Sequence, residues 1–165
     1  MIGRPLWGGV ALALALASPA RGHGCPASRV DVADWPIVRS PRVPGFTLRL
    51  PRTFTRDSAA TAGDSAPSAA WSDARARFTL SRQSATAATP EPGAEGRTNY
   101  VRCEDRVGSA MATIVSYAQG ATAYVVNARI RWPDGESVTV RADAADRTTL
   151  EQLLAAVRTL RRAGA

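Results

Sequence analysis

Residues 111–142, MATIVSYAQGATAYVVNARIRWPDGESVTVRA, carry the clearest strand and turn signals of the chain. Three runs rich in β-branched and aromatic residues (111–117, 122–132 and 136–142) are separated by two turn signals. Gln119-Gly120 fits a two-residue turn, and Pro133-Asp134-Gly135 fits a three-residue turn with glycine in the left-handed position. A turn at 119–120 pairs Tyr117 with Thr122, Val115 with Tyr124 and Met111 with Ala128. A turn at 133–135 pairs Trp132 with Glu136, Ile130 with Val138 and Ala128 with Val140. Together they put Met111, Val115, Tyr124, Val126, Ala128, Ile130, Val138 and Val140 on one face of a three-stranded antiparallel meander. A one-residue slip would send every side chain to the other face. That other face carries Asn127, Arg129, Arg131, Thr139 and Arg141, with Ile114 and Val125 among them.

Downstream, Leu150, Leu153, Leu154, Val157 and Leu160 recur at helical spacing, and Thr148 with Glu151 forms a capping box. The resulting C-terminal helix covers the apolar face of the meander. Arg158, Arg161 and Arg162 fall at its C-terminal end, where the helix dipole favours cations. Upstream, FTLRLP (46–51) alternates strictly, a strand with Phe46, Leu48 and Leu50 inward. Residues 71–80 read as a hairpin that buries Trp71, Phe78 and Leu80. Residues 98–107 fit either a short helix or a strand, and Gly108-Ser109 turns the chain out of them. The segments 57–70 and 84–97, rich in Ala, Ser, Thr, Pro and Gly, read as surface loops. The expected fold is α+β: one antiparallel sheet, made of the meander plus the N-terminal strand and hairpin, packed by the C-terminal α-helix.

The N-terminus reads as an address. Arg4, the apolar run Leu6–Ala17 and the small residues Ser18-Pro19-Ala20 have the layout of a secretory signal peptide over 1–20. The run is shorter than the roughly 20 residues a membrane-spanning helix needs. Residues 21–45 hold Pro26, Pro36, Pro41 and Pro44 and read as an extended Pro/Arg-rich arm, tacked down by Trp35 and Ile37. Residues 46–162 form a single domain. The expected location is periplasmic or extracellular, with no transmembrane helix in the mature chain.

Composition excludes several chemistries. The 165 residues carry 21 basic side chains, all arginine, against 14 acidic ones, a formal charge of +7. Without lysine there is no Schiff base and no P-loop lysine. His23 is the one histidine, and it lies in the linker after the leader. No metal cluster, nucleotide-binding motif or nucleophile elbow is present, and no cofactor is expected. Three carboxylate pairs remain as candidates for acid–base work: Glu104-Asp105, Asp134 with Glu136, and Asp143 with Asp146. Turn and cap positions already account for the last two. An exported chain with two cysteines favours a Cys25–Cys103 disulfide, with a lipidated Cys25 as the alternative.

Residues 21–56 hold seven arginines against Asp31 and Asp34. Arg129, Arg131 and Arg141 share one face of the meander, a candidate surface for an anionic cell-envelope polymer or an acidic protein surface. Nothing interleaves aromatics with arginine as nucleic-acid platforms do, so nucleic acid is not expected. The reading is therefore a non-catalytic binding or docking module of the cell envelope, not an enzyme. A small hydrolase using the carboxylates, or a lipid-anchored lipoprotein of the same fold, is the alternative.

The order of motifs carries a resemblance. F-x-L-x-L-P stands at Phe46–Pro51 and a W-x-D-x-R-x-R-F hairpin at Trp71–Phe78. A cysteine segment before a G-x-x-x-A-x-I-x-x-Y strand spans Cys103–Tyr117, and L-x-x-L-L-x-x-V-x-x-L spans Leu150–Leu160. Over about residues 45–162 the chain resembles small exported bacterial proteins with a PsbP-like fold. That superfamily includes an extrinsic photosystem subunit and a nuclear-import factor. The resemblance implies an antiparallel sheet flanked by helices and docking roles rather than catalysis. No catalytic residue carries over.

Overall fold

Ten strands and one helix are built from the described residues 24–58, 67–83 and 93–163 of a computed structural model. In chain order the strands are β1 Ile37–Arg39, β2 Phe46–Arg49, β3 Thr55–Asp57, β4 Ser68–Ser72 and β5 Ala76–Gln83. Then come β6 Thr98–Val107, β7 Ala110–Gln119, β8 Ala123–Arg131 and β9 Ser137–Ala144. The helix α1 Arg147–Arg158 and the short β10 Arg161–Arg162 close the chain. Seven strands form one antiparallel sheet in the order β3-β4-β5-β9-β8-β7-β6, and β1-β2-β10 form a second, small sheet. α1 packs on β8 and β9 and also touches β2 and β6. The core therefore lies between the inner face of the large sheet on one side and α1 with β2 on the other. Phe46, Leu48 and Leu50 enter it from the small sheet, Phe78, Ile114, Ile130 and Val140 from the large one, and Leu153 and Val157 from the helix.

The hairpins follow their turn residues. In β4–β5, Asp73 Oδ1 accepts from the N–H groups of Arg75 (2.8 Å) and Ala76 (2.9 Å), an Asx turn that reverses the chain. Trp71, Phe78 and Leu80 are buried as their alternation requires, and Trp71 meets Phe78 edge-on at 6.4 Å. The β8–β9 register agrees with the three-residue turn: Ile130 faces Val138 and Ala128 faces Val140, with Gly135 at φ +87°. The ambiguous segment 98–107 is strand β6, joined to β7 through Gly108-Ser109. Gly108 sits at φ +63°, a backbone conformation that favours glycine, and a Cβ there would press on the Arg161 side chain, whose Cδ lies 3.3 Å away.

Four expectations are corrected. The β7–β8 connection is a three-residue loop, because Gln119 pairs with Ala123. Met111 consequently lies opposite Arg131 rather than Ala128, and β7 has the opposite parity. Ala110, Ala112 and Ile114 face the core; Met111 is 51% exposed on the far side, and Val115 belongs to a second cluster there. The run MATIVSY is apolar on both parities, so alternation alone cannot orient it. Second, FTLR is not a strand of the main sheet. β2 pairs with β1 and β10 and reaches the same core from the other side. Third, the helix is capped by Asp146, whose Oδ1 accepts from Thr149 N–H at 2.9 Å, rather than by Thr148. It ends at Arg158, so Arg161 and Arg162 lie in β10 beyond the helix. Fourth, Ile37 is 57% exposed; Trp35 and Val38 pack the arm against the core, and Val43 is buried within it.

The segments read as loops at 57–70 and 84–97 are partly strand: Asp57 ends β3 and Ser68–Ala70 belong to β4. Residues 59–66 and 84–92, the leader 1–20 and His23 lie outside the described residues. No helix among the described residues is long and apolar enough to cross a membrane.

Candidate functional site

On its outer face the large sheet carries a different population of side chains. Strand register aligns them in rows. Glu104, Thr113, Arg129, Thr139 and Ser81 follow one another from β6 to β5, and the next row is Arg102, Val115, Asn127, Arg141 and Thr79. Arg131, opposite Met111 and Ser137, lies one row further out. Residues two apart on a strand are separated by about 7 Å and neighbouring strands by about 4.8 Å. Arg129, Arg131 and Arg141 therefore stand on one patch of β8 and β9.

Their partners differ. Arg141 Nη2 lies 3.6 Å from Asp143 Oδ1 along the same strand. Arg131 is exposed and makes no ion pair among the described residues. Arg129 is half-buried between Thr113 and Thr139, and its Nε is buried without a hydrogen-bond acceptor. A guanidinium N–H shielded from water and left unpaired costs free energy, which an incoming oxyanion would recover.

The other end of this face is closed. Val115, Tyr117 and Val125 form a small buried cluster with Tyr100 against it, and the Arg97 guanidinium lies 4.7 Å from the Tyr117 ring centre. The arginine patch of β8 and β9 thus begins where the apolar cluster stops.

The three carboxylate pairs do not assemble into acid–base sites. Glu104 and Asp105 point to opposite faces of β6. Glu104 lies outward, opposite Thr113, whereas Asp105 turns inward, where its Oδ2 accepts from Arg158 Nε at 2.7 Å. Asp134 and Glu136 grip Arg162, the latter at 3.0 Å, and Glu136 also pairs with Arg82. The hydrogen bond from Arg162 and the Glu136 N–H hold the Asp134 carboxyl below its usual range, and the Asp134 contact raises Arg162. Asp146 is held low chiefly by the Thr149 N–H it caps, with Arg75 adding its charge. Asp143 faces Arg141. Asp105, Asp134, Glu136, Asp143 and Asp146 thus each lie against a structural partner, and Glu104 stands outward with Arg102 4.0 Å away.

Cys25 and Cys103 are joined by a disulfide that closes 78 residues of chain, which leaves no thiol at Cys25 for a lipid. Beside it, Cys25 N–H donates to Glu104 O at 3.3 Å. The arm that follows is held by arginines reaching for its carbonyls. Arg158 Nη2 donates to Pro26 O (2.6 Å), Arg49 Nη1 to Ala33 O (2.9 Å) and Trp35 O (2.7 Å), and Arg52 Nη2 to Asp34 O (3.2 Å). The sequence pattern missed these contacts, since each joins residues distant in the chain to a backbone atom that has no composition signal. It also missed two clefts flanking the arm. One, of about 440 Å³, lies against β1, β2 and the end of α1, and the other, of about 650 Å³, between α1 and β6.

No family model matches the chain, and no curated protein is significantly similar to it in sequence.

Proposed function

We propose that this protein is an exported, non-catalytic binding module of the cell envelope, and that the outer sheet face around Arg129, Arg131 and Arg141 takes an anionic polymer. The observation that carries the reading is Arg129. Its Nε is buried and unpaired at the centre of the face, between two threonines and next to exposed Arg131. Planar guanidinium forks on a flat surface suit repeated carboxylate or phosphate groups. The short hydroxyl side chains around them leave room for a chain to lie across the strands. Export rests on the leader layout at residues 1–20, with which the disulfide is compatible. The PsbP-like resemblance points the same way, to docking. The carboxylate hydrolase reading is disfavoured because its acids serve ion pairs and a helix cap.

The test is a titration of the disulfide-bonded protein with polygalacturonate at low and high ionic strength, beside an Arg129→Gln, Arg131→Gln, Arg141→Gln variant. The parent binds at low salt and weakens by roughly tenfold at high salt, as exposed charge pairs are screened. The variant loses binding. Equal binding by variant and parent overturns the assignment of this face. Binding of an acidic peptide in preference to the polysaccharide redirects it to a protein partner.

A further inference from the structure

The cleft between α1, β6 and the arm has features that packing alone does not explain. Its volume of about 650 Å³ falls within the range of small-molecule sites. The floor is apolar, with Val101, Ile114 and Tyr124 from the sheet and Leu150 and Leu154 from the helix. The Cys25–Cys103 disulfide forms one wall. Val101 is 43% exposed although it lies on the inward side of β6, level with Ser116. Val101 thus offers apolar surface to the cleft beside the buried Ile114.

The charged lining is mainly basic: Arg29 on the arm and Arg147 in the first turn of α1 stand at the mouth, with Glu151 beside Arg147 and with Arg158, which is bonded to Asp105. Arg29 is exposed and makes no ion pair among the described residues, and Arg147 shares Glu151 at 3.7 Å. The backbone at the mouth is also unusual. Asn99, a lining residue, sits at φ +51°, and the β6–β7 register shifts there by a bulge between Thr98 and Val101. Such bulges re-aim side chains and recur beside binding sites.

We propose that this cleft binds a small amphipathic anion, an apolar body with a single oxyanion head. The body lies on Val101, Ile114 and Leu154, and the head meets Arg29 and Arg147 at the mouth. The site is separate from the outer face, on the other side of the sheet.

Two dyes with one aromatic skeleton provide the test: anilinonaphthalene sulfonate, which carries an oxyanion, and uncharged N-phenylnaphthylamine. Fluorescence titration of the disulfide-bonded protein gives one saturable site for the sulfonate, with the uncharged dye weaker by about tenfold. Val101→Glu, which places a carboxylate on the floor, weakens the sulfonate by more than about tenfold. Arg29→Gln, on the exposed arm where folding is not at stake, weakens it by roughly threefold. Arg129→Gln leaves it unchanged, which separates this cleft from the outer face. Circular dichroism of each variant certifies the fold. Equal affinity for the two dyes, or a sulfonate affinity that neither Val101→Glu nor Arg29→Gln lowers, overturns the proposal.

Discussion

The two faces of the seven-stranded sheet are made from the same strands and carry opposite kinds of side chain. On the inner face, Phe78, Leu80, Ile114, Ile130 and Val140 are sealed beneath α1 and β2. On the outer face, alternate residues of the same strands are Arg77, Thr79, Thr113, Arg129, Arg131 and Arg141. Stability belongs to the first set, and the proposed binding is assigned to the second. The charged groups that do support the fold are those with partners: Arg158 on Asp105, Arg162 on Asp134 and Glu136, and Arg75 on Asp146. Arg129 differs from them all in having a buried N–H and no acceptor.

Perturbing the inner face has the largest expected effect. Phe78 is fully buried and packs on Trp71. Phe78→Ala should cost about 3–5 kcal/mol, read as a drop in the denaturant midpoint. A loss below about 1 kcal/mol would mean that the inner face is not the core.

The disulfide comes next. It closes 78 residues of chain, for which the chain-entropy model gives about 4–5 kcal/mol, and typical measured values are about 2–4. Reduction should lower the melting temperature yet leave the far-ultraviolet circular dichroism at room temperature intact, because the sheet and α1 hold each other without the arm. Loss of sheet signal on reduction would show instead that the arm is needed to form the body.

A smaller effect comes from acid. Asp134 and Asp146 are held below the ordinary carboxyl value of 3.8 in the folded state. Their contribution is therefore fully present above that value and fades as pH falls through the lowered one. Asp146→Asn keeps a capping oxygen but removes the charge. Melting temperature followed from neutral to strongly acid pH should fall less steeply in this variant than in the parent. An unchanged acid limb would place the acid sensitivity elsewhere.

The smallest stability change is expected on the outer face. Arg129→Met removes the unpaired N–H and keeps the apolar stem, so stability should stay within about 0.5 kcal/mol or rise. A loss of several kcal/mol would make Arg129 a structural residue and remove the contrast between the faces.

Much of the inner face was legible in the sequence, because strict alternation marks it. Phe46, Leu48 and Leu50, the Trp71–Leu80 hairpin and the β8–β9 register all follow from period and turn chemistry. Alternation says that a strand has a buried side, though not which sheet it joins, and so β2 was placed in the wrong one. β7 defeats it, because Ile114 and Val115 are both buried, in separate clusters. β6 defeats it for the opposite reason: at the sheet edge, only Cys103 and Val107 of its ten residues are buried. The outer patch was legible as three arginines on one face. The orphaned Nε of Arg129 was not, since it depends on the flanking Thr113 and Thr139, brought in by two separate registers.

The unpaired Nε–H of Arg129 can be observed directly. The direct measurement follows the arginine Nε–H signals by nitrogen–proton correlation spectroscopy as polygalacturonate is added to the disulfide-bonded protein. The Arg129 Nε–H signal should move and saturate, whereas that of Arg158, already bonded to Asp105, stays in place. Saturable binding with the Arg129 signal unmoved would contradict the assignment of the outer face.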